Sequence, residues 1–246
     1  MTLEKITSEY ESADREATET IYNSSDLTIK DSSFITYNPL TRIKYSLITN
    51  LSNLTLENTD LEISTNKTMG FSIINNTGTL IYNKGNIKLS SAISTGFTYY
   101  GLFNSSSAES TLDIDSMDID ADGNVYGVYN DNSNVTILNG TITVKGNNSY
   151  GVYQTDGEMI FGHLEGTGIN ANPSTTSPLV QAIGTTQGIG VKKADGLFRF
   201  FDGKFVGSTN AKPEAPTQIE EPDYEVVFGT DDDGYNYCTL RYLEQH

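Results

Sequence analysis

Residues 149–157 read SYGVYQTDG, residues 125–132 read VYGVYNDN, and residues 99–105 read YYGLFNS. The same five-residue phrase, aromatic-Gly-aliphatic-aromatic-amide, recurs three times without a catalytic-looking side chain inside it. A phrase repeated at a fixed interval marks a structural unit that stacks on copies of itself. Taking the residue after the second aromatic as an anchor gives Asn23, Asn50, Asn75, Asn104, Asn130, Gln154 and Lys193. Successive differences are 27, 25, 29, 26, 24 and 39 residues. The long last interval holds an insertion around 170–177 with Pro173, followed by Pro178.

Two residues before each anchor stand Ile21, Ile48, Ile73, Leu102, Val128, Val152 and Val191, all aliphatic. One residue before stand Tyr22, Thr49, Ile74, Phe103, Tyr129, Tyr153 and Lys192, a mixture expected to face water. Four before the later anchors stand Phe71, Tyr100, Tyr126, Tyr150 and Ile189. Period two with one faithful face is the pattern of a half-buried strand. A second strand follows each anchor: Leu27-Thr-Ile29, Leu54-Thr-Leu56, Leu80-Ile-Tyr82, Leu112-Asp-Ile114, Val135-Thr-Ile137, Met159-Ile-Phe161 and Phe198-Arg-Phe200. A third carries Leu61 and Ile63, Ile87 and Leu89, Met117 and Ile119, Ile142 and Val144, and Phe205. Turn formers separate the second and third strands, as at Asn58-Thr-Asp60, Lys84-Gly-Asn86, Asn139-Gly140 and Asp202-Gly203.

Three short strands per coil of about 25 residues predict an all-β fold: a single-stranded right-handed parallel β-helix of about seven turns. At the usual spacing between strands such a rod is about 34 Å long. In the repeated phrase, the first Tyr and the Val are expected to point inward and the second Tyr outward. The amide is expected to sit inside, in a ladder of Asn side chains that Gln154 continues and Lys193 ends. The Gly permits close backbone approach or a positive φ. An antiparallel sandwich also has short strands and frequent turns; the fixed self-similarity favours the coil.

A solenoid needs a cover at each end. Leu3, Ile6, Tyr10, Ala13, Ala17 and Ile21 recur at spacings of 3 or 4, which predicts a capping helix over residues 3–20. The expected organisation is thus 1–20 N-terminal cap, 21–207 β-helix, 208–222 linker with Pro213, Pro216 and Pro222, and 223–246 hairpin cap around Thr230-Asp-Asp-Asp-Gly234.

The closing stretch 196–207, GLFRFFDGKFVG, followed by EPDYEVV at 221–227, resembles the last turn of repetitive β-helix surface proteins of Gram-positive bacteria. The Tyr-Gly-Val-Tyr-Asn turns are similar to their repeats over about residues 70–246. The resemblance implies an extracellular, adhesin-like or cell-envelope role, usually within a longer chain, and no particular ligand. The function expected for this chain is non-enzymatic structural display or adhesion at the cell surface, with carbohydrate or host matrix as the candidate ligand class that the outward aromatic stripe described below suggests.

Composition narrows the remaining classes. With 32 acidic and 15 basic residues the net charge is −17, which opposes binding to nucleic acid or to an anionic membrane surface. No apolar run approaches the roughly 20 residues of a membrane span. No signal-peptide pattern follows Met1, so the chain is expected to be either intracellular or a piece of a longer secreted protein. The single cysteine, Cys238, has no partner for a disulfide and no neighbouring His, and is expected to be a packed, inert thiol.

Polysaccharide lyases and hydrolases also use β-helices, and such an enzyme is the alternative function. Arg42-Ile-Lys44 and Gly162-His163 resemble two polygalacturonase motifs, but in the reverse of that family's order. Asp31, Asp60 and Glu62 lie in early turns with nothing in the sequence to fix them in a cleft. No catalytic, cofactor or metal residues are assigned. The stretch Asp118-Ile-Asp-Ala-Asp-Gly-Asn-Val125 matches the first eight positions of a calcium loop, with Asp118, Asp120 and Asp122 as acids. Its twelfth position is Tyr129 rather than Glu, so the expected structure is a strand end and a turn. Outward aromatics and Ile74, once per coil at Tyr22, Ile74, Phe103, Tyr129 and Tyr153, form the one candidate contact stripe, for sugar rings or a partner. Sequons at Asn23, Asn53 and Asn134 are frequent by composition and carry no glycosylation claim. A fibre component of phage or spore is a further reading, which a trimeric mass would favour.

Overall fold

The computed structural model describes residues 1–11, 20–37, 45–65, 70–91, 96–162, 177–211, 218–219 and 224–242. They form twenty strands in one continuous hydrogen-bonded system. Among the described strands every pairing is parallel except the two that involve the C-terminal hairpin. Strands alike in sequence lie side by side, one coil apart, which is a parallel β-solenoid.

Three walls enclose the core. The first wall holds the repeated phrase: Ile21–Asn23, Tyr45–Asn50, Phe71–Asn76, Thr98–Ser105, Asn124–Asp131, then the ends of Ser133–Gln154 and Leu179–Lys193. The second wall stacks Ile29, Leu56, Tyr82, Leu112, Ile137, Phe161 and Phe200, partners in register and essentially without solvent contact. The third stacks Phe34, Leu61, Ile87, Met117, Ile142, Val180 and Phe205. Stacking like on like keeps each column dry, and a buried aliphatic or aromatic side chain contributes about 1.5–3 kcal/mol. Left-handed residues turn the chain between the second and third walls, as at Asp31 (φ 47°), Asn58 (φ 47°) and Lys84 (φ 64°). Asn and Asp tolerate this conformation better than most residues.

Near the C-terminal end the columns become aromatic. Phe161, Phe198, Phe200 and Phe205 converge, with Phe161 and Phe205 ring centroids 4.1 Å apart. The hairpin of Tyr224–Thr230 and Asn236–Tyr242 forms as expected and lies antiparallel along Lys204–Gly207, placing Cys238 opposite Phe205. Cys238 is fully buried, and burial pushes its thiol up to about 12.

Two expectations about the ends are corrected. The segment expected to be a capping helix over residues 3–20 begins with strands, Thr2–Glu4 and Thr7–Glu11, paired parallel with Leu27–Tyr37. Leu3 and Ile6 are three apart because Lys5 (φ 55°) turns a corner between them, so each packs inward from a different wall. The spacing of a helical face and the spacing across a solenoid corner coincide. Residues 12–19, with Ala13 and Ala17, lie outside the described residues. The linker expected over 208–222 is also partly coil: Asn210 bridges Ile189, Ala211 is buried, and Gln218–Ile219 pairs with Leu197–Phe200. The insertion around 170–177 is described only at Ser177.

The amide ladder exists, with one shift of register. Asn76, not Asn75, pairs with Asn50 and Asn104. Asn23 donates from Nδ2 to Asn50 Oδ1 (2.7 Å), Asn50 to Asn76 (2.7 Å), Asn76 to Asn104 (2.8 Å) and Asn104 to Asn130 (3.0 Å). Gln154 is in register and buried, yet its longer side chain carries Nε2 past the ladder to the carbonyls of Gly157 and Leu197. Lys193 follows in register, buried at the ladder's end.

Candidate functional site

The repeated phrase breaks strand alternation at its glycine. In Asn124–Asp131, Val125 is buried, Tyr126 half-exposed, Gly127 and Val128 both buried, Tyr129 half-exposed and Asn130 buried. Two consecutive inward residues mean that both tyrosines face outward. The expectation that the first Tyr points inward is therefore wrong. Its place inside is taken by the preceding residue, as with Phe71 and Tyr99, whose ring centroids lie 6.2 Å apart.

Glycine makes this geometry feasible because its Cβ position is already occupied. A methyl at Gly101 would meet Met117 Sδ at 2.4 Å, one at Gly127 would meet Ile142 Cγ2 at 2.6 Å, and one at Gly151 would meet Val180 Cγ1 at 2.1 Å. Each of these glycines also lies under the carbonyl of the next glycine of the column, at 2.5–2.7 Å from that methyl position. Side chains of the third wall thus fill the space that a first-wall side chain would need.

The outward result is a terrace of six rings on three coils. Tyr100, Tyr126 and Tyr150 form one column, with centroids 5.2 and 4.8 Å apart and near-parallel planes. Phe103, Tyr129 and Tyr153 form a second, at 5.3 and 5.2 Å. Between the columns every contact is edge-to-face, at interplanar angles of 72–89°. Offset stacking within a column and edge-to-face contact between columns are both favoured ring geometries, each contributing about 0.5–1.5 kcal/mol. Lys192 closes one end, its ammonium 5.7 Å from the Tyr150 centroid and 5.5 Å from that of Tyr153. At the other end the register passes to Ser72 and Asn75, which have no rings.

Partial burial raises the ring hydroxyls' proton affinity: Tyr100 is pushed up to about 12, first by burial and then by Tyr129 and Asp131. Tyr126 is raised further and Tyr129 is also raised, again chiefly by burial. Unfolded tyrosines ionise near pH 10. Above that pH the unfolded chain releases protons that the folded terrace retains, so stability is intact below about pH 10 and falls as pH rises toward 12. Thermal unfolding followed from pH 9 to about 12 is expected to show this decline. Tyr100→Phe with Tyr126→Phe is expected to lessen it, the remainder coming from Tyr129, Tyr82 and Cys238, which burial also raises.

The other candidates do not converge. Ile74 is buried in the core, partnered with Ile48 and Leu102, and leaves the stripe because of the register shift at Asn76. Tyr22 is 57% exposed but lies on the first coil, away from the terrace. Asp31 accepts from Asn58 Nδ2 at 2.7 Å, Asp60 from Asn86 N and Nδ2 at 2.9 Å, and Glu62 pairs with Lys88 at 3.2 Å. These carboxylates tie one coil to the next. Asp118 and Asp120 are exposed on the outer face of Glu109–Ala121, and Asp122 lies at the following turn. Among the described residues no group of three or more His, Cys, Asp or Glu side chains is placed to hold a metal. Arg42, Lys44 and His163 lie outside the described residues. Sequence reasoning missed Tyr100, Tyr126 and Tyr150; the Gly after each marks an irregular point in the strand, but which way it turns the tyrosine depends on Met117, Ile142 and Val180 in another wall. No family model matches the chain, and no curated protein or solved structure shows significant similarity to it.

Proposed function

We propose that this chain is a non-enzymatic display and adhesion segment of an exported bacterial cell-surface protein, and that the terrace is its contact surface for a neutral glycan. The single observation that carries the reading is the six-ring terrace, held on a stack whose every coil is bonded to its neighbours. Exposed rings offer apolar edges and hydroxyls together, a combination suited to the mixed C–H and O–H surface of a sugar. The net charge of −17 disfavours acidic glycans and other polyanions. A polysaccharide-cleaving enzyme needs two carboxylates flanking one bond, whereas Asp31, Asp60 and Glu62 are each engaged in bonds between coils.

Tyr129→Ser with Tyr153→Ser tests the reading on arrays of neutral glycans, acidic glycans and host-matrix proteins. The parent chain is expected to bind neutral glycans, and the double variant to lose at least about tenfold in affinity, as expected for losing two stacked aromatic contacts. Equal binding by both chains, or binding of matrix proteins alone, would contradict the assignment.

A further inference from the structure

The terrace has a period and a direction. Its two columns run along the stack with centroids 4.8–5.3 Å apart, close to the spacing of neighbouring strands. Ring planes within a column differ by only 3–18°, so the rings hardly rotate from coil to coil and the columns run straight. Parallel rings this close overlap face to face, because side by side in one plane they would collide. Ring faces are thus largely spent inside the terrace, and all six rings are half-exposed. What they offer to solvent is the tyrosine hydroxyls and the outer ring edges, which carry the positive end of the ring quadrupole.

Beside the Tyr100 column runs a polar one, Thr98, Asn124, Asn148 and Gln187, partners in register. Asn148 Nδ2 donates to Asn124 Oδ1 (2.9 Å), and the Tyr150 hydroxyl to Gln187 Oε1 (3.0 Å). Asn124 Nδ2 has no partner among the described residues. Each coil of the terrace therefore presents the same set, a polar side chain followed by two rings. The set ends after three coils. Beyond Tyr150 and Tyr153 the columns pass to Ile189, which is buried, and to Lys192; before Tyr100 and Phe103 they pass to Ser72 and Asn75.

A partner that fits this surface is straight and repeats at the coil spacing. It turns oxygen atoms toward positive ring edges, hydroxyls and amides. It carries no negative charge, since Asp131 lies close enough to raise the Tyr100 and Tyr129 hydroxyls. A fully extended sugar chain with equatorial linkages meets these conditions. It advances by nearly one coil spacing per sugar, and its rim is made of hydroxyl and ring oxygens. A chain with axial linkages curls and drifts out of step.

We infer that the ligand is a neutral β-1,4-linked polysaccharide lying along the stack, one sugar on each of the three coils. This rests on the reading of the terrace as a neutral-glycan surface and adds to it a direction, a linkage and a length.

Titration calorimetry tests it with oligomers of β-1,4-linked glucose, β-1,4-linked N-acetylglucosamine and α-1,4-linked glucose, from one to six sugars long. In at least one β-linked series, affinity is expected to rise about two- to tenfold with each sugar up to the third, the worth of about one net hydrogen bond per coil. Longer chains are expected to gain only by the number of registers they can take, and α-linked chains to gain nothing after the first sugar. Tyr100→Ser with Phe103→Ser removes the rings of one end coil, and Tyr150→Ser with Tyr153→Ser those of the other. Either variant is expected to stop gaining at the second sugar. Neutral-glycan binding without these length dependences, equal gains in the α-linked series, or array binding with neither β-linked series bound would overturn the inference and leave the neutral-glycan reading standing. No binding of any neutral glycan, here and on the arrays, would overturn that reading and the inference with it.

Discussion

Asn76→Leu is expected to lower the stability of the folded chain by about 3–5 kcal/mol, because it strands several buried polar groups at once. The Asn76 amide donates to Asn104 Oδ1 (2.8 Å), Gly78 O (3.0 Å) and Ser110 Oγ (3.0 Å), and accepts from Asn50 Nδ2 (2.7 Å) and Gly78 N (3.2 Å). Leucine branches at the same carbon and leaves no cavity, so the loss combines unmade hydrogen bonds with the crowding of methyl groups against polar atoms that lie 2.7–3.0 Å from the amide. Asn23→Leu, at the open end of the ladder, removes fewer bonds and is expected to cost only about 1–2 kcal/mol. Guanidinium unfolding of the two variants checks the difference. Equal costs would mean that the amides act as isolated turn residues and not as a column.

The second large effect lies in the glycine column. Gly151→Ala is expected to destabilise by about 3 kcal/mol or more, at the upper end for overpacking a core. Its methyl would sit 2.1 Å from Val180 Cγ1 and 2.5 Å from Gly190 O. Val180 is β-branched and has little rotamer freedom with which to yield. Gly101→Ala meets the end of a flexible side chain, Met117 Sδ at 2.4 Å, together with Gly127 O at 2.7 Å. Its expected cost is therefore lower, about 1–2 kcal/mol. Thermal denaturation orders the two. A Gly101→Ala variant as damaged as Gly151→Ala would show that backbone contact, not the opposing side chain, sets the requirement.

Much of the fold is legible in the sequence because one chemical rule repeats. Aliphatic residues two before each amide, and paired β-branched or leucine residues in the next two strands, name the columns directly. The ends were less legible for a physical reason. Leu3 and Ile6 have helical spacing only because a corner at Lys5 consumes one residue between walls. The shift from Asn75 to Asn76 arises in Phe71–Asn76, where two isoleucines and two asparagines are adjacent and no glycine marks the bulge. The terrace was half legible. Simple alternation placed Phe103, Tyr129 and Tyr153 outside but put Tyr100, Tyr126 and Tyr150 inside. Only the space already filled by Met117, Ile142 and Val180 explains why the glycine also takes an inward position. That information comes from a different wall of the coil and is not written in the phrase itself.

The central claim is that successive coils run parallel, a single offset holding along each pair of stacked first-wall strands, as the 26 residues do between Thr98–Ser105 and Asn124–Asp131. Three cysteine pairs test it in a Cys238→Ser background: Thr98 with Asn124, Phe103 with Tyr129, and Ser105 with Asp131, all register partners 26 residues apart. Neighbouring parallel strands bring paired Cα atoms to about 4.8 Å, within the range a disulfide spans. Under mild oxidation all three pairs are expected to form intrachain disulfides, read by mass spectrometry of the digested protein. An antiparallel arrangement centred on the middle pair would close that pair alone and leave the two outer pairs reduced, which would contradict the stacked coil.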